Sequence, residues 1–430
     1  MRRLKVLISS SYFIWYIILL STVIRVIWMF YFNPEIVSDA RWYMEKGCNL
    51  AHGLGYVNDG IPTANYPIGY PAFLALLFLV GGCKLWIARL ANLVLYALIL
   101  WFFYHLVLDL TKNNRRAAIS CLLLAVYPNH MVYVNLAFNE TFFLFLFVSA
   151  LYYLIRSLNG RESFLWISAL LWTCAFMTRP AVLFIPFIVL FILFRSNGFK
   201  KVFKSWSVIG LVLILLVSPW TIRNYLVFGK FVPVSTNGGF ALLIGNNPHA
   251  EGRFYLHEDF FRDVEKNSNE AGYSKIAGKM ALDYMSSNPV QVIQRIPVKF
   301  FYLFWPGMDG ISWNMNGESA GKQVVLSRFR FLANGYFVLL MCAFLLAIFM
   351  KTINSKWQLI DTLILAMIGY YVLITLVFFG ESRYHFHLMP FFHVSVASLF
   401  LKGKERFPPW KTDIYFLTQA VVLPSREIPT

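Results

Sequence analysis

From residue 11 to residue 32 the chain is mostly apolar, with Arg25 as its sole charge. A helix needs roughly 20 such residues to cross the hydrocarbon core of a bilayer. Runs of comparable length recur at 85–108, 117–137, 206–222, 330–350 and 358–379. Shorter runs at 141–155, 164–178, 181–194 and 388–401 suit tilted or thin-spanning helices. Composition agrees: 58% of residues are hydrophobic and 14% charged, where a soluble domain carries about 25% charged. The fold class expected is an all-α polytopic integral membrane protein of about ten transmembrane helices.

The net charge of +17 first suggests an acidic partner such as nucleic acid, and its distribution argues otherwise. One set of connectors carries Arg2, Arg3 and Lys5, then Lys112, Arg115 and Arg116, then Arg156 and Arg161. The series continues with Arg195, Lys200, Lys201 and Lys204, with Lys351 and Lys356, and with Lys402, Lys404, Arg406 and Lys411. Only Glu162 and Glu405 oppose them there, and the alternate connectors lack such an excess, which is the positive-inside pattern. The basicity is topological, and no nucleic-acid role is expected. Both termini then fall on the cytoplasmic side of what reads as a bacterial inner (plasma) membrane. The opening run is too long for a signal peptide and lacks a small-residue cleavage site, so it is expected to remain as a helix. The sequence divides into an N-terminal bundle (1–222) with a first outer loop (33–84), a large non-cytoplasmic region (223–328), C-terminal helices (329–401) and a cytoplasmic tail (402–430).

Of the five cysteines, Cys121, Cys174 and Cys342 lie in expected spans as small apolar packers. Cys48 and Cys83 share the outer side, where a disulfide is chemically permitted; spacing leaves their pairing open, and no metal-type cysteine pattern occurs. In the large region, "TNGGF" and "GNNPHAEG" (236–240, 245–252) read as turns and 268–287 as an amphipathic helix. In "PVQVIQRIPVKFFYLFWPG", Phe301, Tyr302 and Trp305 beside Arg295 and Lys299 suit a helix at headgroup level. Arg25 and Arg89 sit near the outer ends of spans, where snorkelling is the inexpensive arrangement. Asp361 is expected to cap a helix or pair, and "FFLFLF" (142–147) to pack rather than to bind sugar.

The stretch "VSDARWYMEKGCNLAHGLGY" (37–56) places Asp39 just beyond the first span. Ser38 can cap a helix there, and an acid in the first turn suits its positive end. Positions 39, 43, 46 and 50 share one face, and Gly53 and Gly55 end the helix. The chain then returns to the membrane through "YPIGYP" (66–71), whose prolines and glycine impose a rigid turn.

These residues carry a resemblance. Asp39 followed by "D-A-x-x-Y" and "N-L-A-x-G-x-G-Y", then the Pro-Gly-Tyr-Pro turn, resembles membrane glycosyltransferases of GT-C type, in the protein mannosyltransferase-like and aminoarabinose transferase-like branch. "MTRPAVLFIP" (177–186), "SPWTIRNYLVFGKFVPVSTNGGFALLIGNNPHAEG" (218–252) and "ESRYHFHLMP" (381–390) are similar to further blocks of that group, so the resemblance spans about residues 10–400. It implies a sugar moved from a polyprenyl-phosphate donor to a glycan, lipid or protein acceptor on the non-cytoplasmic face, with inversion and with Asp39 as the general base. A hydroxyl acceptor must shed a proton as it attacks, which calls for an acid of this kind. The phosphate leaving group calls for cations.

Partners for Asp39 follow from residue type and place. Glu140, at the outer start of a span, is a second catalytic acid or a helix-terminal charge. Tyr43 shares the Asp39 face and is a candidate substrate contact. Arg179, Arg223 and Arg383 are candidate phosphate ligands, Arg383 foremost because "SRYHFH" also supplies Tyr384, His385 and His387. Asn246 and Asn247 either bind sugar hydroxyls or bond their own turn. The resemblance allows a divalent cation in some members and none in others; the weak metal candidates are His249, Glu251 and His257, without zinc-type spacing. The rival readings are a transporter or flippase of a lipid-linked sugar, and a non-catalytic relative in envelope polysaccharide assembly. Transporters tend to show internal repeats and midplane polar groups, and neither is evident in the sequence.

Overall fold

The computed structural model describes residues 12–257, 260–261, 269–307 and 309–401. The basic residues at 2, 3, 5, 402, 404, 406 and 411, and the tail 402–430, lie outside them. Apolar length sets the architecture. Among the described residues, six helices are long and apolar enough to cross a membrane: α1 (Phe13–Tyr31), α4 (Leu85–Thr111), α7 (Asn139–Leu158), α11 (Phe199–Phe228), α17 (Ala320–Ile353) and α18 (Leu359–Val377). A bent pair, α5 (Asn114–Ala125) with α6 (Pro128–Val132) and its 3-10 continuation to Asn135, makes up to seven, with a bend of 57°. Three helical segments are apolar but short: α3 (Gly69–Gly81), α8 (Phe164–Thr178) and the stretch 180–192 that includes α9 (Ile185–Ile192). The helical membrane class stands; by length alone six or seven helices qualify, because the expected spans 164–178 and 181–194 form the short α8 and α9 and the run 388–401 only the short α19 (Met389–Ala397) after a 3-10 turn. Helix α3 lies in what reads as loop.

The α5–α6 break shows how polar side chains hold this bundle. Pro128 has no N–H to offer the Leu124 carbonyl, and lipid supplies no replacement. Side chains take over: Tyr336 Oη donates to Leu123 O (2.8 Å), Tyr96 Oη to Leu124 O (3.0 Å) and Arg25 Nη1 to Ala125 O (2.9 Å). Arg25 therefore does not snorkel. It is 1% exposed, bonded to Ser21 Oγ and laid over the Tyr96 ring at 3.5 Å. Arg89 is likewise buried, donating to Asn33, Pro34 and Asn135 and so fixing the exit of α1 against the segment before α7. Both correct the expectation, because a bundle with broken helices has carbonyls that need internal donors. Asp361 caps α18 through Gln358 and pairs with Lys351, as expected. The aromatic run at 142–147 packs in the core, with Phe143 and Phe147 fully buried.

Beyond α1, α2 (Ser38–Ala51) and α3 form a hairpin joined by a short two-stranded ribbon, Val57–Asn58 with Ile61–Pro62. A Cβ on Gly47 would stand 2.8 Å from Leu74 Cβ, so only glycine lets the two helices cross this closely. Gly53, at φ 73°, ends α2 as its sequence indicates. Cys48 and Cys83 are joined in a disulfide that ties α2 to the segment after α3. Ser38 makes no side-chain cap; it opens α2 with φ 54°, and Val37 occupies the capping position.

The region 223–328 folds over this hairpin. "TNGGF" opens helix α12 (Asn237–Gly245) rather than a turn, and α12 packs on α13 (Glu270–Ser287). Glu270 clamps the hairpin by accepting from Thr63 Oγ1 (2.7 Å) and Ala64 N (2.9 Å). Next come α14 (Pro289–Gln294) and α15 (Ile296–Leu303), and Val290, Ile293, Phe300, Phe301 and the following Trp305 are exposed; Lys299, expected at headgroup level, is instead buried, because Asn246 Oδ1 and Leu376 O accept from its ammonium. The short α16 (Asp309–Asn314) leads into α17.

Candidate active site

Four separate elements bring charged side chains to one place. The first turn of α2 presents Asp39, the start of α7 presents Glu140, the end of α8 presents Arg179, and the 3-10 turn Ser382–Leu388 presents Arg383. Asp39 Oδ2 accepts from Arg383 Nη1 at 3.0 Å, and Asp39 Oδ1 accepts from the Tyr66 hydroxyl at 3.2 Å. Both charged side chains stay partly open, Arg383 at 23% and Asp39 at 17% exposure. Behind them, Arg179 Nη2 donates to Glu140 Oε1 at 2.5 Å and to Asn139 Oδ1 at 2.7 Å. Asn139 Nδ2 in turn donates to the Tyr43 hydroxyl at 3.0 Å, and this links the Glu140–Arg179 pair to the Asp39 face of α2.

The electrostatics follow from this crowding. Burial alone would lower the Arg383 pKa, but Glu140, Asp39 and Glu381 together hold it well above the ordinary arginine value. The Arg383 guanidinium also lies 5.2 Å from the Trp313 ring centroid. Glu381 shares a hydrogen bond with Asp309, and burial pushes its carboxyl up to about 7, with Arg383 pulling it down and Asp309 pushing it further up. Asp309 also accepts from Ser382 Oγ at 3.0 Å, so the Arg383 turn is tied to the start of α16. Burial, then the charges of Asp39 and Glu140, keep the Tyr43 hydroxyl protonated far above its usual range. Tyr384 packs on Phe379 and lies in the field of Glu381, Arg383, Arg179 and Asp39.

Asp39, Tyr43, Glu140, Arg179, Arg383 and Tyr384 thus converge, and the other candidates do not. Arg223 is committed to the hairpin: its guanidinium donates to Thr63 O (2.9 Å) and Tyr56 O (3.1 Å) and packs on Trp220. Asn246 is 1% exposed and spends its amide on Leu242 O and Val377 O, while its oxygen accepts from Lys299. Asn247 donates to Leu243 O and accepts from His249 N, so both asparagines finish the end of α12 instead of facing a ligand. His249 stacks on His257 at 4.2 Å, but Glu251 turns to Arg253, and the three do not gather as metal ligands. Among the described residues, the group whose ligand atoms do lie within 4.8 Å of one another is Cys48, His52 and Cys83, and its two sulfurs are already bonded to each other. His385 donates from Nδ1 to Leu303 O at 2.6 Å and stacks on Phe337. Sequence reasoning missed Tyr66, Asn139, Trp313, Asp309 and Glu381. Tyr66 and Glu381 lie inside the quoted motifs; Asp309, in "WPGMDG", carries no signal beyond turn residues.

Comparison with known proteins bears on the fold. Residues 65–222 match the dolichyl-phosphate-mannose-protein mannosyltransferase family. No curated protein matches the chain by sequence. Among solved structures, the fold matches the Archaeoglobus fulgidus oligosaccharyltransferase in complex with zinc and sulfate (TM-score 0.52, 15% identity, 89% of this chain and 48% of that one). The apo form of that enzyme matches with TM-score 0.54 and 13% identity over 90% of this chain and 50% of the other. The chain thus spans about half the length of these structures. A looser likeness, with TM-score 0.44 and 14% identity over 90% of this chain and 77% of the other, is to ArnT from Cupriavidus metallidurans bound to undecaprenyl phosphate. The chain has the GT-C fold of membrane glycosyltransferases, and residues 65–222 are where it matches the protein mannosyltransferase family.

Proposed function

We propose that this protein transfers a sugar from a polyprenyl-phosphate donor to an acceptor hydroxyl at the non-cytoplasmic face, with inversion at the anomeric carbon. The observation that carries the reading is a half-open carboxylate, Asp39, held between Arg383 and Tyr66 beside a second acid–arginine pair. The family match over 65–222 supports the donor class, and the alternation of basic connectors supports the face. In this mechanism Asp39 accepts the acceptor's proton as the oxygen attacks the anomeric carbon. The bond from that carbon to the phosphate oxygen breaks on the opposite side, and the phosphate departs with the bonding electrons towards Arg383 and Arg179. Arg383 is common to both halves of the reaction. An arriving phosphate competes with Asp39 for the guanidinium and so frees the carboxylate oxygen for the acceptor.

Asp39→Asn keeps size and shape while removing the proton acceptor. It is expected to lower transfer from a labelled polyprenyl-phosphate sugar in membranes by about 10²- to 10⁴-fold, with the protein still folded by size-exclusion profile. Full transfer by a folded Asp39→Asn protein would remove Asp39 from the base role.

A further inference from the structure

Beneath the arginines lies a seam of polar atoms that the mechanism above leaves unused. Among the described residues, Glu140 Oε2, Tyr371 Oη, Thr375 Oγ1 and both ring nitrogens of His387 have no hydrogen-bond partner. Their residues are nonetheless almost wholly enclosed, at 1%, 3%, 1% and 2% exposure. Native folds rarely leave such atoms unpaired, and here several occur together.

The atoms belong to one place. The Tyr371 and His387 rings stand 4.2 Å apart, and Thr375 lies one turn beyond Tyr371 on α18. His387 meets the Phe143 ring at 5.1 Å, and Phe143 lies one turn along α7 from Glu140. Arg179, 5.7 Å above that same Phe143 ring, acts electrostatically on both Tyr371 and His387. With its side chain 15% exposed, Arg179 stands between the open site and the enclosed seam.

We propose that Glu140, Tyr371, Thr375 and His387 form the subsite for the ring hydroxyls of the donor sugar, below the arginines that take its phosphate. This rests on the function proposed above and adds the sugar's place to it. The chemistry selects the ligand. A carboxylate oxygen accepts, two hydroxyls both donate and accept, and a neutral imidazole does one of each. That set suits several hydroxyls on one ring, each of which also donates and accepts. A phosphate would call for cations instead, and a prenyl tail would satisfy none of these atoms. Access opens as the phosphate draws Arg179 off Glu140, which releases Oε1 to join the unpartnered Oε2.

The test uses two near-isosteric variants, Tyr371→Phe and Thr375→Val, in the full-length protein in lipid nanodiscs. Binding of polyprenyl-phosphate mannose, glucose and arabinose is compared with binding of the same polyprenyl phosphate without a sugar. The native protein is expected to bind at least one sugar-bearing carrier more tightly than the bare carrier. Each variant should shrink that margin by about 3- to 10-fold, the worth of one neutral hydrogen bond, and leave bare-carrier affinity unchanged. If the margin persists undiminished in both variants, or if bare-carrier affinity falls equally, the subsite is wrong while the transferase reading stands. If the native protein binds neither sugar-bearing nor bare carrier, the donor class itself is wrong and the subsite falls with it.

Discussion

Arg383→Met tests whether one guanidinium holds the acids of the site together. Methionine keeps much of the stem and removes the charge. The Arg383–Asp39 contact is 3.0 Å, which at an effective dielectric of about 20 corresponds to roughly 5 kcal/mol of gross attraction. The partners' 23% and 17% exposure lets solvent recover much of that, and desolvation opposes the rest. A net loss of about 2 kcal/mol is expected at neutral pH, below the cost of breaking a wholly buried pair. If that loss falls on the unfolding barrier, the thermal half-life shortens by roughly 30-fold.

The pH dependence gives the sign. The Glu381 carboxyl is pushed from an ordinary 4.5 up to about 7 by burial, and Arg383 is the group pulling it down. A carboxyl whose folded value is raised gives stability that is present below its unfolded value and lost as pH rises through the folded one. Removing Arg383 raises the folded value further, so the variant has more to lose above pH 7. Well below pH 7, Glu381 is protonated in both proteins and its share of the deficit vanishes. Inactivation half-lives of native and Arg383→Met protein in detergent at pH 8 and pH 5.5 should therefore show the larger deficit at pH 8. Arg383→Lys should restore much of the stability at pH 8 without restoring transfer, since an ammonium lacks the planar paired donors a phosphate uses. A deficit equal at both pH values, or none at pH 8, would refute the electrostatic account.

Two further outcomes follow from contacts outside the reacting groups. Cys48→Ser opens a disulfide spanning 35 residues, and the loop-entropy relation puts the loss at about 3–4 kcal/mol; thermal inactivation of the variant and of reduced native protein should match. Asn246→Ala removes two buried donated bonds and the acceptor for Lys299, and should cost about 2–3 kcal/mol of stability while donor affinity in the folded fraction stays at the native level.

The spans were legible because lipid demands length: α1, α4, α17 and α18 each follow an apolar run that little else explains. Helix α3 was not, because a short apolar segment that opens on two prolines reads as a returning loop until its contacts with α2 are known. Arg25 was misread for a related reason. An arginine near a span end snorkels by default, and only the break at Pro128, distant in sequence, supplies the carbonyl that keeps it inside. Within the site, Asp39, Glu140, Arg179 and Arg383 were legible as ionisable residues at or just beyond the ends of apolar runs. Their pairing was not, since Asp39 and Arg383 are 344 positions apart. Asp309 and Glu381 escaped notice because an acid in a turn is ordinary until a second acid is found sharing its hydrogen bond.

The residues that fail as ligands still bear on the site. Asn246 donates to Val377 O at 2.8 Å and Lys299 Nζ to Leu376 O at 2.9 Å, so the last carbonyls of α18 are held by the region 223–328. One step further, Gly380 N donates to Gly252 O at 2.8 Å, immediately before Glu381 and Arg383. Lys299 is fully buried in doing this, a placement that only fixed acceptors sustain. On the other side, Arg223 and Glu270 fix the hairpin that carries Tyr66 and Asp39. The Asp39–Arg383 contact therefore joins two segments, each clamped separately by the region 223–328. Movement of that region would act first on this contact, because the Glu140–Arg179 pair is seated on α7 and α8 inside the bundle. The geometry thus gives the region 223–328 a lever on Asp39, the proton acceptor in the proposed mechanism, and leaves the second acid–arginine pair in place behind it.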